Sequence, residues 1–324
     1  MKTKKNKKKH ITTTLIVAIF TCLLITTATF AIPKLPFFKQ PQEITNRSDS
    51  SSDIANLKEE TATEAKAALT ETIQTDSNTK YETPKEISYS NSPYKDLYPN
   101  LYCEKPTQYI TNSKTIYLTF DDGPSQRTGE ILDILKAKNV KATFFVIGNN
   151  SELGRSMMKR IVDEGHAIAI HTYSHEYKKI YAGVKEYLDD FNKIATFIYE
   201  TTGVKPSVFR FPGGSNTGFN KKIRNELLLE MTRRGYSYFD WNLCNGDAAS
   251  SKLVPSNILT DNVLKNSTYC DVGVVLMHDC AAKKTTVDSL SDVVEGLKKQ
   301  NFKFDILSSK INPDKFRFCK PKLN

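Results

Sequence analysis

From Thr115 onward, short apolar runs alternate with segments whose apolar residues recur every three or four positions. The runs at 115–120, 142–146, 167–171, 208–211, 236–241, 273–278 and 302–306 read as strands. Between them, 128–138 places Ile131, Leu132 and Leu135 on one helical face. The stretch 184–202 does the same with Val184, Tyr187, Leu188, Phe191, Ile194, Phe197 and Ile198, and stops at Gly203. Helical patterns at 221–234 and 287–300 complete the series. Seven strand-then-helix units predict a parallel, barrel-like α/β domain over 106–312, with a short tail at 313–324. In such barrels the chemistry gathers at the C-terminal ends of the strands.

Upstream the pattern changes. Residues 33–105 are rich in Ser, Thr, Asn, Glu and Lys, with only a weak helical period near 54–69, and predict a flexible stalk. Residues 11–32 carry no charge and are long enough to cross a bilayer, although seven are threonine. The tail before them, 1–10, holds six lysines. Basic before apolar predicts a cytoplasmic N-terminus and an exported body. The segment reads either as an uncleaved signal anchor or as a signal peptide cut after Thr29-Phe30-Ala31.

The chain has 324 residues and a formal charge of +10. Residues 106–324 hold 31 basic and 24 acidic residues, whereas the stalk is slightly acidic, with nine basic and twelve acidic. A basic exported domain suits an anionic matrix such as a cell wall. Nucleic acid is excluded as a partner, because the body has no long basic run and the compartment is wrong.

The strand ends carry the candidate chemistry. The first ends in Asp121-Asp122, followed by Gly-Pro; the third in His171-Thr-Tyr-Ser-His175; the fourth in Arg210-Phe-Pro-Gly-Gly; the fifth in Asp240-Trp241; the sixth in His278-Asp279. Two adjacent Asp before Gly-Pro also suit an ordinary turn cap. Two imidazoles four residues apart plus one carboxylate, however, make a three-ligand metal site with open positions. Asp122 fits as that carboxylate, which leaves Asp121 as a base.

Taken in order, TFDDGP, HTYSH, RFPGG, DW followed by GDA, and LMHD resemble the NodB-homology polysaccharide deacetylases, carbohydrate esterase family four. The resemblance spans 115–306 and implies a distorted (β/α)7 barrel that removes acetyl groups from sugars with one divalent metal. It implies Asp122, His171 and His175 as ligands and Asp121 as general base, paired with Arg210. His278 would be the general acid, kept charged and aligned by Asp240. Gly213 would help stabilise the oxyanion, Trp241 would wall the groove and Leu276 would line the acetyl pocket. Gly213 stands where many relatives carry an aromatic residue.

Zinc is the expected metal, with cobalt, manganese and nickel as alternatives. The expected substrate is N-acetylglucosamine in the cell's own peptidoglycan, with chitin, N-acetylmuramic acid and acetylated xylan as alternatives, and the catalytic domain is expected to be monomeric. Two readings from other classes are a mononuclear iron oxygenase, which shares the two-His-one-carboxylate set, and a non-catalytic wall-binding module. Five cysteines lie outside the apolar segment, and their placement suggests either Cys244–Cys280 and Cys103–Cys319 bridges with Cys270 free, or five reduced thiols.

Overall fold

Two short strands, β1 (Lys80–Glu82) and β2 (Tyr109–Thr111), pair antiparallel ahead of the main sheet. The computed structural model describes residues 80–82 and 92–322, all within one unit, Ile73–Asn324. The expected basic tail, membrane segment and most of the stalk lie outside the described residues. Among those described, no helix is long and apolar enough to cross a membrane.

The body then runs β3 (Thr115–Asp121), α1 (Gln126–Ala137), β4 (Thr143–Ile147), α2 (Glu152–Asp163), β5 (Ala167–Thr172), α3 (Tyr177–Ile180), α4 (Val184–Thr202) and β6 (Val208–Phe209). It continues with α5 (Arg224–Arg233), β7 (Ser237–Tyr238), β8 (Leu243–Cys244), α6 (Ser256–Ser267), β9 (Val272–His278), α7 (Lys284–Lys299) and β10 (Lys303–Phe304). The seven expected strands are all present, some shortened to two residues. Three helices, α2, α3 and α6, the strand β8 and the β1–β2 pair are additional.

The main sheet is parallel throughout, in the order β7-β6-β5-β4-β3-β9-β8, with β10 beside the start of β3. Strands β7 and β8 are the two ends of that path, yet only residues 239–242 join them. Laid flat, seven strands at ~4.8 Å spacing would hold them ~29 Å apart. Five residue steps reach at most ~18 Å. The sheet must therefore curl into a barrel, closed on one side by chain rather than by a ladder.

Alternation along each strand sorts the side chains. Ile116, Leu118 and Phe120 of β3, Phe144 and Val146 of β4, and Ile168 and Ile170 of β5 face outward and pack against the helices in one core. Tyr117, Phe145, Ala169, Val208, Phe239 and Val274 face inward and fill the barrel together with Leu307, Ile311 and Phe316. The inward parity leads on from Tyr117 to Thr119 and Asp121, from Ala169 to His171, from Val208 to Arg210, and from Val274 to Leu276 and His278. A strand that begins by filling the barrel floor thus ends by delivering a polar group to its mouth.

The folded domain begins earlier than the expected boundary at 105. Leu101 is buried, and Tyr94, Leu97 and Tyr98 pack on the outer core. Arg234, fully buried, donates to the carbonyls of Tyr94 (2.8 Å), Leu97 (2.7 Å), Tyr98 (3.3 Å) and Leu101 (3.2 Å). Its Nε is 2.6 Å from Glu230, which also accepts from Ser92 at 2.6 Å. The expected tail is likewise part of the fold, since Phe316 lies in the interior cluster.

The two proposed disulfides do not form; the cysteines among the described residues are free. Cys244 sits level with Leu276 in the β8–β9 ladder, and Cys280 follows beyond the end of β9. Cys103 lies against Arg234, Gly235 and Pro206 ahead of β7, whereas Cys319 is tied to Ser215 and Tyr238 past it. Burial pushes the thiols of Cys103, Cys244, Cys270 and Cys280 up, which favours the protonated form.

Candidate active site

Asp121 and Asp122 leave β3 with opposite parity, so a straight strand would separate them. At Asp122 the backbone turns left-handed, with φ 71°. That turn brings the second carboxylate back to the mouth of the barrel. Gly123 follows because nothing larger fits: a Cβ there would lie 2.1 Å from a carboxylate oxygen of Asp279.

Asp122 Oδ1 lies 3.4 Å from His171 Nε2 and 3.2 Å from His175 Nε2. The three side chains each present one donor atom within 4.8 Å of the others. Nδ1 of His171 is 2.9 Å from the carbonyl of Arg210, which only accepts, so Nδ1 carries the proton and Nε2 offers its lone pair. Burial lowers the His171 pKa to about 3, against the opposing charge of Asp122, and keeps the ring neutral as a ligand requires. Asp122 Oδ1 is buried with no hydrogen-bond partner. An orphaned anionic oxygen facing two imidazole nitrogens fits a divalent cation.

The loop carrying His175 is fixed from α4. Asp190 accepts from the Thr172 hydroxyl and from the backbone N–H groups of Tyr173 (2.6 Å) and Ser174 (3.0 Å). His175 itself adopts φ 55°.

Asp121 is buried, and its Oδ1 accepts from Arg210 Nη1 at 2.8 Å. Burial raises its pKa, while Arg210 and His278 pull it down only in part. That is the direction a general base at neutral pH needs. Arg210 also donates to Thr119 Oγ1 at 2.8 Å and to the carbonyls of Phe239 (2.9 Å) and Asp240 (3.1 Å). It lies over the Phe145 ring at 4.2 Å.

His278 ends β9, but its partner is not the expected one. Nδ1 is 2.7 Å from Asp247 Oδ1, and its backbone N–H is 2.8 Å from Asp247 Oδ2. Thr286 donates to the same carboxylate at 2.7 Å. Burial opposes the charge on His278, but the bond to and charge of Asp247, with Asp121 and Asp122, outweigh it and raise the pKa to about 9. Asp240 does not pair with His278. It accepts instead from Ser215 N (2.7 Å), Ser215 Oγ (2.6 Å) and Phe318 N (2.7 Å), tying the RFPGG loop to the C-terminal segment. Asp247 was present in the sequence as the acid of GDA without an assigned role.

The remaining expected residues surround this centre. Leu276 is half-buried on β9, level with Thr119 and Cys244. Trp241 packs edge-on to Phe318 at 4.9 Å, and a Cβ on Gly214 would lie 3.2 Å from it. Gly213 is exposed at φ 75°. Asp279 is buried beneath the Asp122-Gly123 turn and accepts from Thr128 at 2.7 Å; burial raises its carboxyl to about 7.

Residues 108–232 match the family model for polysaccharide deacetylase. The chain is 33% identical over 195 residues to a peptidoglycan-N-acetylglucosamine deacetylase of Bacillus cereus, covering 59% of this chain and 68% of that protein. It is 34% identical over 193 residues to the peptidoglycan-N-acetylglucosamine deacetylase PgdA of Listeria monocytogenes, 59% of this chain and 38% of that one. The catalytic domain of a peptidoglycan N-acetylglucosamine deacetylase from Eubacterium rectale superposes with a TM-score of 0.61 at 31% identity, covering 69% of this chain and all of that one.

Proposed function

This chain belongs to the polysaccharide deacetylase family, and from that premise we propose that it hydrolyses the N-acetyl groups of N-acetylglucosamine in peptidoglycan, using one divalent metal. The observation that carries this reading is the pairing of two opposed proton-transfer groups around one ligand cluster. Asp121 is a buried carboxylate beside Asp122, His171 and His175, and His278 is an imidazolium held charged by Asp247. An iron oxygenase needs neither group.

Asp122 Oδ1, His171 Nε2 and His175 Nε2 would hold the ion, and nitrogen and oxygen donors with an open position favour zinc. When bound, the ion polarises the acetyl carbonyl and lowers the pKa of water toward about 7. Asp121 accepts a proton from the attacking water, and Arg210 keeps its Oδ1 oriented. As water oxygen bonds to the acetyl carbon and the C–N bond breaks, His278 donates its Nε2 proton to the leaving nitrogen. Acetate and a free amine result. The Gly213 backbone would face the developing oxyanion, and Trp241 and Leu276 would border the acetyl side.

The same reading places the enzyme outside the cell, tethered through residues 11–32 or released after their cleavage, with a monomeric catalytic domain. Its basic charge suits the anionic wall. Acetate release from purified peptidoglycan, compared with chitin oligomers and acetylated xylan, tests the substrate. No release from peptidoglycan alongside release from either of the others would reassign it.

A further inference from the structure

Beside the ligand cluster an open groove of ≈ 600 Å³ is lined by Glu176, Tyr177, Lys178, Lys179 and Phe219. The Tyr177 ring stands edge-on to His175 at 5.2 Å and to Phe219 at 5.0 Å, so the aromatic surface runs outward from the site without a break. Phe219 is 53% exposed, and nothing in the mechanism uses it.

The floor of this groove depends on one residue. A Cβ on Gly213 would lie 2.9 Å from Tyr177 Cε1, and the backbone there is left-handed, so any side chain at 213 would drive Tyr177 off its seat. Tyr177, arriving from α3, thus supplies the aromatic wall that the RFPGG loop lacks. Lys178 and Lys179 line the groove, and Lys221 and Lys222 follow Phe219 in the chain, all exposed. The single acid of the groove, Glu176, is paired with Lys179 at 3.8 Å.

We propose that Tyr177 and Phe219 form a subsite for a neighbouring pyranose ring of the glycan chain, with the lysines favouring an anionic glycan. A pyranose is apolar on its C–H faces and polar at its rim, which matches an exposed aromatic shelf edged by ammonium groups. A polymer must leave the reaction centre along some surface, and this one is continuous with His175. The inference rests on the deacetylase reading for the identity of the occupant.

The test compares wild type with Phe219→Ala and Phe219→Trp, a position exposed enough to change without unfolding the barrel. Acetate release is measured on N-acetylglucosamine oligomers from dimer to hexamer, and mobility in native gels containing glycol chitin. The wild type should gain kcat/KM with length. Phe219→Ala should lose about fivefold of that gain through KM and run faster in the glycol chitin gel, while Phe219→Trp retains both. Phe219→Ala with wild-type length dependence and retardation would overturn the subsite. If the wild type releases no acetate from any oligomer, the deacetylase reading falls instead. The gel then decides alone: retardation that Phe219→Ala abolishes supports the shelf, and equal retardation overturns it.

Discussion

Nδ1 of His278 lies 2.7 Å from Oδ1 of Asp247, and this contact sets the working pH range of the site. His278 keeps its proton until pH rises through about 9. Asp121 loses its proton only above the ordinary carboxylate range, because it is buried. The proposed mechanism needs the first group protonated and the second ionised, so activity should rise on the acid side and fall near pH 9. Asp247→Asn should move the alkaline limb to lower pH and cut amide turnover by about tenfold or more. A pH–rate profile whose alkaline limb stays in place would remove Asp247 from this role. The pair's share of stability is present below the ordinary histidine pKa and is lost as pH rises through about 9.

Asp121→Asn separates the base from the ligands. The variant should keep its metal, measured by elemental analysis, yet lose on the order of 10²-fold or more in kcat. Asp122→Ala and His171→Ala should lose metal and activity together. Full activity after exhaustive chelation would end the metal assignment.

Asp190 touches no reacting atom but holds the loop between His171 and His175 through three donors. Asp190→Ala should weaken metal affinity by about 10- to 100-fold, read by competition with a chromophoric chelator. Unchanged affinity would reduce Asp190 to a helix-to-loop tie with no bearing on the site.

Arg234→Ala removes one of the two arginines that Glu230 binds, Arg233 remaining at 2.6 Å, and withdraws a donor from four backbone carbonyls. Leaving a buried acceptor without its donor costs about 1–3 kcal/mol. Thermal melts should show that loss, and limited proteolysis should cut first within 92–105. A melt within experimental error of wild type would mean that the segment is held by its apolar contacts alone.

Much of the site was legible because strand parity and motif order coincide. Asp121, His171, Arg210 and His278 each occupy the inward position one or two steps above a barrel-floor residue, and alternation alone carries them to the mouth. Asp247 was not legible as His278's partner, since its place depends on β8, a two-residue strand with no periodicity to read. Asp190 lies between Leu188 and Phe191 in an amphipathic helical pattern, where nothing in the sequence sets an acid apart from its solvent-facing neighbours. Helices α2 and α6 have few buried apolar anchors, Met158 and Ile161 in one, Leu259 and Val263 in the other, too sparse to mark a face. The segment 94–101 was masked by its stalk-like composition, because much of its hold comes from a single arginine 130 or more residues away.

Arg210 has a second employment that follows from the open side of the barrel. The chain between β7 and β8 crosses that gap at residues 239–242, and the guanidinium grips it by the carbonyls of Phe239 and Asp240 while its other arm holds Thr119 and Asp121 on the opposite wall. The group that aims the base is also the tie-rod of the barrel. Heat that parts the β7–β8 crossing from the far wall would disarm Asp121 in the same event, so inactivation should track the opening of this gap rather than the melting of the helices. For the same reason the kinetics of an Arg210 variant cannot be apportioned between architecture and chemistry; Asp121, whose side chain spans nothing, is where the two come apart.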